Sequence, residues 1–328
     1  MSDLVLEVDD LSVHFGPSLF SRRRPVIHAV RQVSFAVRRG ETLALVGESG
    51  SGKSTTARAA LRLVKSANGT VRWLRQDVSG LRGRELRRLR RHAQMIFQDP
   101  YSSLDPSMTI DEIVAEPLYA HTDLDRSARR ERVAEVLELA GLSRAYLGRY
   151  PQEFSGGQRQ RVAIARALAT DPELVIADEA VSALDVSTRN QILNLLADLQ
   201  ERAGLAYLFI SHDLEVVSHL AHRVAVMYLG SIVEEGPTAR VFNNPGHPYT
   251  EALLRSVPST SLSEEPGRSR FRLAGEPPDP SDPPSGCPFH GRCPKAIPVC
   301  GEVFPESRPV AGGGTAACHL LPTGEGSA

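Results

Sequence analysis

The 328-residue sequence predicts an α/β fold, and three observations carry that expectation. Short apolar runs at 42–46, 174–177 and 206–210 read as buried strands, each followed by helical patterning. The first run leads straight into Gly47-Glu48-Ser49-Gly50-Ser51-Gly52-Lys53-Ser54, which fits the phosphate-binding pattern G-x-x-x-x-G-K-[ST]. Residues 109–148 carry a helical apolar period between two α/β stretches, as an inserted helical subdomain would.

The glycines of the phosphate-binding stretch let the backbone curl so that its N–H groups point inward at phosphate oxygens. The helix starting near Lys53 adds its positive N-terminal end. Lys53 is expected to neutralise the β- and γ-phosphates, and the Ser54 hydroxyl, followed by Thr55 in the same turn, to ligate Mg²⁺. A bound ATP with Mg²⁺ is the expectation.

Composition narrows the partners. A net charge of −1 and a pI near 6.8 give no basic footprint for a polyanion, so nucleic acid is disfavoured. The N-terminal ten residues lack a basic n-region and an apolar h-region, and no stretch approaches the ~18 apolar residues of a membrane span. A chain without transmembrane segment or signal peptide is therefore expected, able to dock on a membrane protein. All four cysteines fall in the last 42 residues, between Cys287 and Cys318.

In chain order, alternation at Leu4, Leu6, Val8 and then Leu11, Val13, Phe15 suggests two short strands of an edge sheet, with a basic loop at Arg22-Arg23-Arg24. Residues 33–37 resume a strand, and Arg38-Arg39-Gly40-Glu41 turns into the strand that feeds the phosphate loop. Phe15 is a candidate for stacking on an adenine ring, worth ~1–3 kcal/mol, or an ordinary sheet-edge residue. A helix is expected over 53–64, a turn at Asn68-Gly69 and a strand over 70–74. The arginine-dense stretch 82–91 reads as a solvated helix face. A strand over 93–97 ends at Gln98-Asp99-Pro100, leaving the Gln98 amide at a strand-to-loop junction.

Within the helical segment, Ile110, Ile113, Val114 and Leu118 form one apolar stripe and Val133, Val136, Leu137 and Ala140 another. Phe154-Ser155-Gly156-Gly157-Gln158 opens a further helix, with Ser155 placed as N-cap and the glycines leaving first-turn N–H groups uncovered, a second anion-binding helix end. The strand at 174–177 ends in Asp178-Glu179. Adjacent acids leave a strand in different directions, so Asp178 suits the Mg²⁺ shell and Glu179 the attacking water. Ser182-Ala183-Leu184-Asp185 leads into a helix over about 187–202, and the strand at 206–210 ends at Ser211-His212-Asp213, where open α/β sheets bind ligands. Closing strands are expected at 224–228 and 232–234.

These segments together resemble the nucleotide-binding subunit of ABC transporters, from about Leu4 to Glu235. The phosphate loop, Gln98, FSGGQ at 154–158, LVIADE at 174–179, SALD at 182–185 and His212 occur in the family's order and approximate spacing. The resemblance implies a RecA-like P-loop ATPase core with an antiparallel edge β-subdomain and an inserted helical subdomain at about 100–170. It implies head-to-tail pairing, with Ser155, Gly156, Gly157 and Gln158 of one chain closing on the γ-phosphate held by Lys53 and Ser54 of the other. It also implies that Gln98 senses Mg²⁺ and the attacking water, that His212 contacts the γ-phosphate, that Asp185 belongs to the interface loop, and that Phe15 stacks on adenine. Phe154 stands where leucine is usual, and Ala180 where proline is common.

Residues 97–106 and 244–254 look like the dipeptide/oligopeptide importer ATPases, a subgroup that includes nickel and glutathione relatives. The partners then implied are two transmembrane permease subunits, a second ATPase chain (a paralogue or an identical copy) and, indirectly, an extracytoplasmic binding protein, with the chain peripheral on the cytoplasmic face of the membrane. The expected domains are 1–258 for nucleotide binding, 259–285 as a Pro/Ser-rich linker and 286–328 as a four-cysteine extension. Gaps of five, six and seventeen residues separate Cys287, Cys293, Cys300 and Cys318, which do not match the paired C-x₂-C of common zinc sites. The importer subgroup shows a similar pattern associated with a [4Fe–4S] cluster, favoured here over zinc, with metal-free thiols as the third reading. The competing functions are an ABC-type ATPase acting on nucleic acid or the ribosome, and a regulatory module that holds ATP without turning it over.

Overall fold

In the computed structural model, which describes residues 3–16, 25–256 and 275–322, the first alternating segment is one strand, β1 (Leu4–Phe15), where two were expected. A bulge at Asp10, whose φ is 50°, bends the strand without breaking it. The basic loop at 22–24 and most of the expected linker lie outside the described residues. β1 pairs antiparallel with β2 (Ile27–Arg38) and with β4 (Asn68–Trp73), which continues to β5 (Gln76–Asp77), giving the order β2-β1-β4-β5. Asn68 and Gly69 begin β4 instead of forming a turn. A Cβ on Gly69 would lie 2.5 Å from the Asp10 carbonyl oxygen, so the glycine serves the close approach of the two strands at the bulge.

Five strands make the parallel part of a second sheet: β3 (Thr42–Val46), β6 (Ala93–Ile96), β7 (Leu174–Asp178), β8 (Ala206–Ile210) and β9 (Arg223–Tyr228), in the order β9-β3-β8-β7-β6. Every residue of β3, β7 and β8 is buried, which explains why they read as continuous apolar runs. Helix α1 (Lys53–Ala60) follows β3 and is shorter than expected, ending at Leu61 with Arg62 at φ 56°. Helix α2 (Gly83–Leu89) carries the arginines and buries only Leu86.

The helical subdomain contains α3 (Pro100–Ser103), α4 (Ile110–His121), α5 (Arg126–Leu139) and α6 (Gly156–Leu168). Both expected stripes are buried in one cluster with Val162, Ile164 and Leu168 of α6. Helix α7 (Val186–Ala203) ends at Gly204 in the left-handed conformation that glycine adopts without strain, and α8 (Leu214–Leu220) follows β8.

Beyond β9 the sheet turns antiparallel through β10 (Ser231–Pro237), after which α9 (Thr238–Asn243) and α10 (Pro248–Arg255) pack back. The cysteine region holds α11 (Val299–Glu302), β11 (Ser307–Pro309) and β12 (Thr315–Ala317), and it is no loose appendage. β12 pairs with β10 through Glu234 and Glu235, so the main sheet runs β11-β12-β10-β9-β3-β8-β7-β6. Phe289 is fully buried against Tyr228 and Tyr249, with ring centroids 5.3 Å from each. Burial of that side chain contributes about 1.5–3 kcal/mol. No helix among the described residues is long and apolar enough to cross a membrane.

Candidate functional site

The phosphate loop leaves the C-terminal end of β3, in the crevice where Gln98 follows β6, Glu179 follows β7 and His212 follows β8. Gly47, Gly50 and Gly52 all have positive φ, at 149°, 79° and 103°. A Cβ on Gly47 would stand 2.2 Å from the Met227 carbonyl oxygen and one on Gly52 2.4 Å from that of Ala29, so the loop is folded against β9 and β2 with no space for a side chain. Ser49 and Gly50 are exposed at its crest.

Lys53 is buried, and its ammonium donates to the carbonyl oxygens of Gly47 and Glu48, both at 2.8 Å, and to Ser51 Oγ at 3.4 Å. Burial holds its pKa below the ordinary lysine value, against the pull of Glu179, Asp178 and Glu48. On the next residue, Ser54 Oγ donates to Asp178 Oδ1 at 2.7 Å. Asp178 is fully buried, and desolvation raises its pKa although Ser54 and Arg58 oppose the shift. Arg58 escaped the sequence reading: its Nη2 lies 3.5 Å from Asp178 Oδ2. Its i,i+4 spacing from Ser54 is the signal that places both on one helix face. A hydroxyl and a buried carboxylate at this separation could share a divalent cation.

Glu179 lies just past the strand at φ 48°, a conformation uncommon for a side chain of its size. Its carboxylate accepts from Gln98 Nε2 at 2.7 Å and stands 3.3 Å from His212 Nδ1. The three residues named for water activation and γ-phosphate sensing thus form one chain of contacts. The His212 loop is pinned from behind: Asp213 caps α8, and its Oδ2 accepts from Arg189 Nη1 of α7 at 2.7 Å.

Ser155 caps α6 as its pattern implied. Its Oγ accepts from Gln158 N at 3.3 Å while Gln158 Oε1 accepts from Ser155 N at 3.0 Å. Gly156 faces Tyr101 and Leu184, and Gly157 faces Thr188, none of them phosphate-loop residues. Arg159 stacks 4.1 Å over the Tyr101 ring and ties this corner to the loop after Gln98. Asp185 has a role within the chain that its motif did not announce: it caps α7, accepting from Thr188 N at 2.9 Å and Ser187 Oγ at 2.7 Å, and the Thr188 N–H above all depresses its pKa. Phe15 is half exposed at the end of β1.

The four cysteines of the C-terminal extension lie near one another. All four are free thiols, with Cys287, Cys300 and Cys318 buried. Cys287 is within electrostatic reach of the other three, and its N–H donates to the Cys300 carbonyl at 2.8 Å, so one lobe holds them all. Yet among the described residues no group of three or more His, Cys, Asp or Glu stands close enough together to hold a metal ion. Desolvation pushes the Cys287 thiol up to about 11 and raises those of Cys293 and Cys318, so these three thiols as folded favour the protonated form.

A phosphate cradle with a lysine, a hydroxyl–carboxylate pair beside it and a glutamate facing the crevice define a nucleoside-triphosphate-binding P-loop protein. Comparison with known proteins narrows the class. The ABC transporter family profile matches residues 30–182, and the profile of the oligopeptide/dipeptide transporter C-terminal region matches 233–300. The chain is 51% identical over 98% of its length to a probable peptide ABC transporter ATP-binding protein, y4tS, of Sinorhizobium fredii, covering 91% of that protein. It is 49% identical to the oligopeptide transport ATP-binding protein AppF of Bacillus subtilis, over 97% of this chain and 98% of that one. Among solved structures, a dimeric post-hydrolysis state of the ATP-binding cassette MJ0796 with ADP and Pi superposes with a TM-score of 0.64 at 30% identity, over 71% of this chain and 98% of that one. The chain belongs to the ATP-binding subunits of ABC transporters, in the oligopeptide/dipeptide group, and is an ABC-type ATPase.

Proposed function

We propose that the chain powers import of di- or oligopeptides by binding and hydrolysing ATP in a head-to-tail pair of cassettes beneath two membrane-spanning permease subunits. The observation that carries the reading is the fusion of two things in one fold. A phosphate loop with Lys53, Ser54 and Asp178 in contact is joined to a C-terminal region of the oligopeptide/dipeptide type that is built into the same sheet.

In this reading Gly47, Glu48, Ser49, Gly50, Ser51, Gly52, Lys53, Ser54 and Thr55 cradle the triphosphate. Ser54, Asp178 and Gln98 would hold Mg²⁺, and Phe15 would stack on the base. The cation supplies charge neutralisation between phosphates, while Glu179 orients the attacking water and His212 and Gln98 hold Glu179 in place. The α6 corner of Ser155, Gly156, Gly157 and Gln158, with Asp185, faces the other cassette and presents its helix N-terminus to the triphosphate held there. The groove between core and helical subdomain, about 550 Å³ and lined by Phe97, Ser102, Ser103, Glu116 and His121, lies beside the Gln98 loop and suits a permease segment. The chain is then peripheral on the cytoplasmic face.

Deleting the chain from its host is expected to abolish uptake of labelled short peptides, with rescue by the wild type and none by Lys53→Ala; unchanged uptake on deletion rejects the reading. The [4Fe–4S] cluster rests on four thiols in one lobe and on their all-sulfur chemistry, and it requires the loops to draw their sulfurs together. Iron and sulfide in stoichiometric amounts after anaerobic purification support it; a colourless protein carrying zinc or no metal overturns it.

A further inference from the structure

Glu48 is an acid inside a loop that must receive several negative charges. Left alone, its carboxylate would repel a triphosphate at short range. It is not left alone: Arg292 grips it fork to fork, Nη1 to Oε2 at 2.8 Å and Nη2 to Oε1 at 3.1 Å, from 244 positions further along the chain. Arg292 Nη1 also donates to Tyr228 Oη at 3.2 Å, and the side chain of Arg292 is only 7% exposed. The backbone N–H of Glu48 donates to Tyr249 Oη at 2.9 Å, and its carbonyl is one of the two that hold the Lys53 ammonium. Arg292 ends the short turn His290–Arg292, whose position is set by the buried Phe289 before it and by Cys293 after it. The cysteine extension therefore reaches the phosphate loop through one guanidinium.

We infer that Arg292 is a positioning residue for ATP binding: the extension neutralises Glu48 and holds the loop in its phosphate-receiving form before nucleotide arrives. The inference rests on the ATP-binding reading. A loop ordered in advance loses less freedom on binding, and a paired acid does not oppose the incoming phosphates. The two effects predict a specific pattern. Arg292→Ala weakens binding of a fluorescent ATP analogue with Mg²⁺ to the full-length chain by about tenfold, the size expected for losing a charge-assisted pair. Adding Glu48→Gln to Arg292→Ala recovers most of the lost affinity.

A thermal melt accompanies each variant. A purely structural arginine would lower the melting temperature and give no recovery in the double variant, and that result overturns the inference. Unchanged affinity in Arg292→Ala overturns it too. Should Arg292→Ala not fold, Arg292→Lys decides: it keeps the charge and loses the fork, so a two- to fivefold loss of affinity supports the inference and wild-type affinity rejects it. A wild-type chain that binds no nucleotide would reject the ATP-binding reading itself, a distinct outcome.

Discussion

Glu179 occupies a left-handed backbone position that aims its carboxylate between the Gln98 amide and the His212 ring. Glu179→Gln keeps the shape and removes the base, so ATPase activity of the assembled complex should fall at least ~100-fold while nucleotide binding persists. Equal rates in variant and wild type would remove Glu179 from the chemistry. Asp178 carries a pH prediction. Burial raises its folded-state pKa, so its favourable contribution to stability is present below the ordinary carboxylate range and is lost as pH rises through the raised value. Asp178→Asn should then melt higher than the wild type at pH 7 without nucleotide, with the gap closing toward pH 4, while Mg²⁺-dependent ATP hydrolysis is lost. A lower melting temperature at pH 7 would show that the Ser54 and Arg58 contacts outweigh burial. Lys53, Asp178 and Glu179 were legible because motif and strand pattern locate them; Arg58 and Arg292 were not, since their importance lies in what they face.

The phosphate loop and α6 illustrate how backbone shape limits substitution. Gly47→Ala sets a Cβ against the Met227 carbonyl, which belongs to a buried strand and cannot move aside. The variant is expected to lose several kcal/mol of stability, or to fold without binding ATP, as a melt and a nucleotide titration would show. Ser155→Trp removes an N-cap worth about 0.5–2 kcal/mol, a modest drop in the isolated chain. In the paired complex the indole would stand where the other cassette's triphosphate is proposed to sit, and ATPase activity should vanish. Retention of full activity with both cassettes altered would reject the composite site. The buried parallel strands were predicted closely because continuous apolar runs between polar turns leave few alternatives. The alternation points to two strands where β1 is one, because a bulge at Asp10 breaks the alternation without breaking the strand.

The main sheet would end at β10 without the cysteine region, whose β12 and β11 cover that edge while Phe289 fills the space between Tyr228 and Tyr249. Truncation after residue 256 is expected to lower the melting temperature and promote association through the opened strand, measured by scattering; a monomeric, equally stable product would mean the extension only decorates the fold. The amino-acid order alone specified the α/β core, the inserted helices and the nucleotide chemistry, because phosphate cradles and buried strands are local patterns read within a few residues. Folding in three dimensions settled the rest: that a proline-rich cysteine tail completes the sheet, that its four thiols share one lobe, and that Arg292 meets Glu48 of the phosphate loop. Those depend on contacts between positions hundreds apart, and no periodicity or spacing along a chain encodes which distant groups will meet.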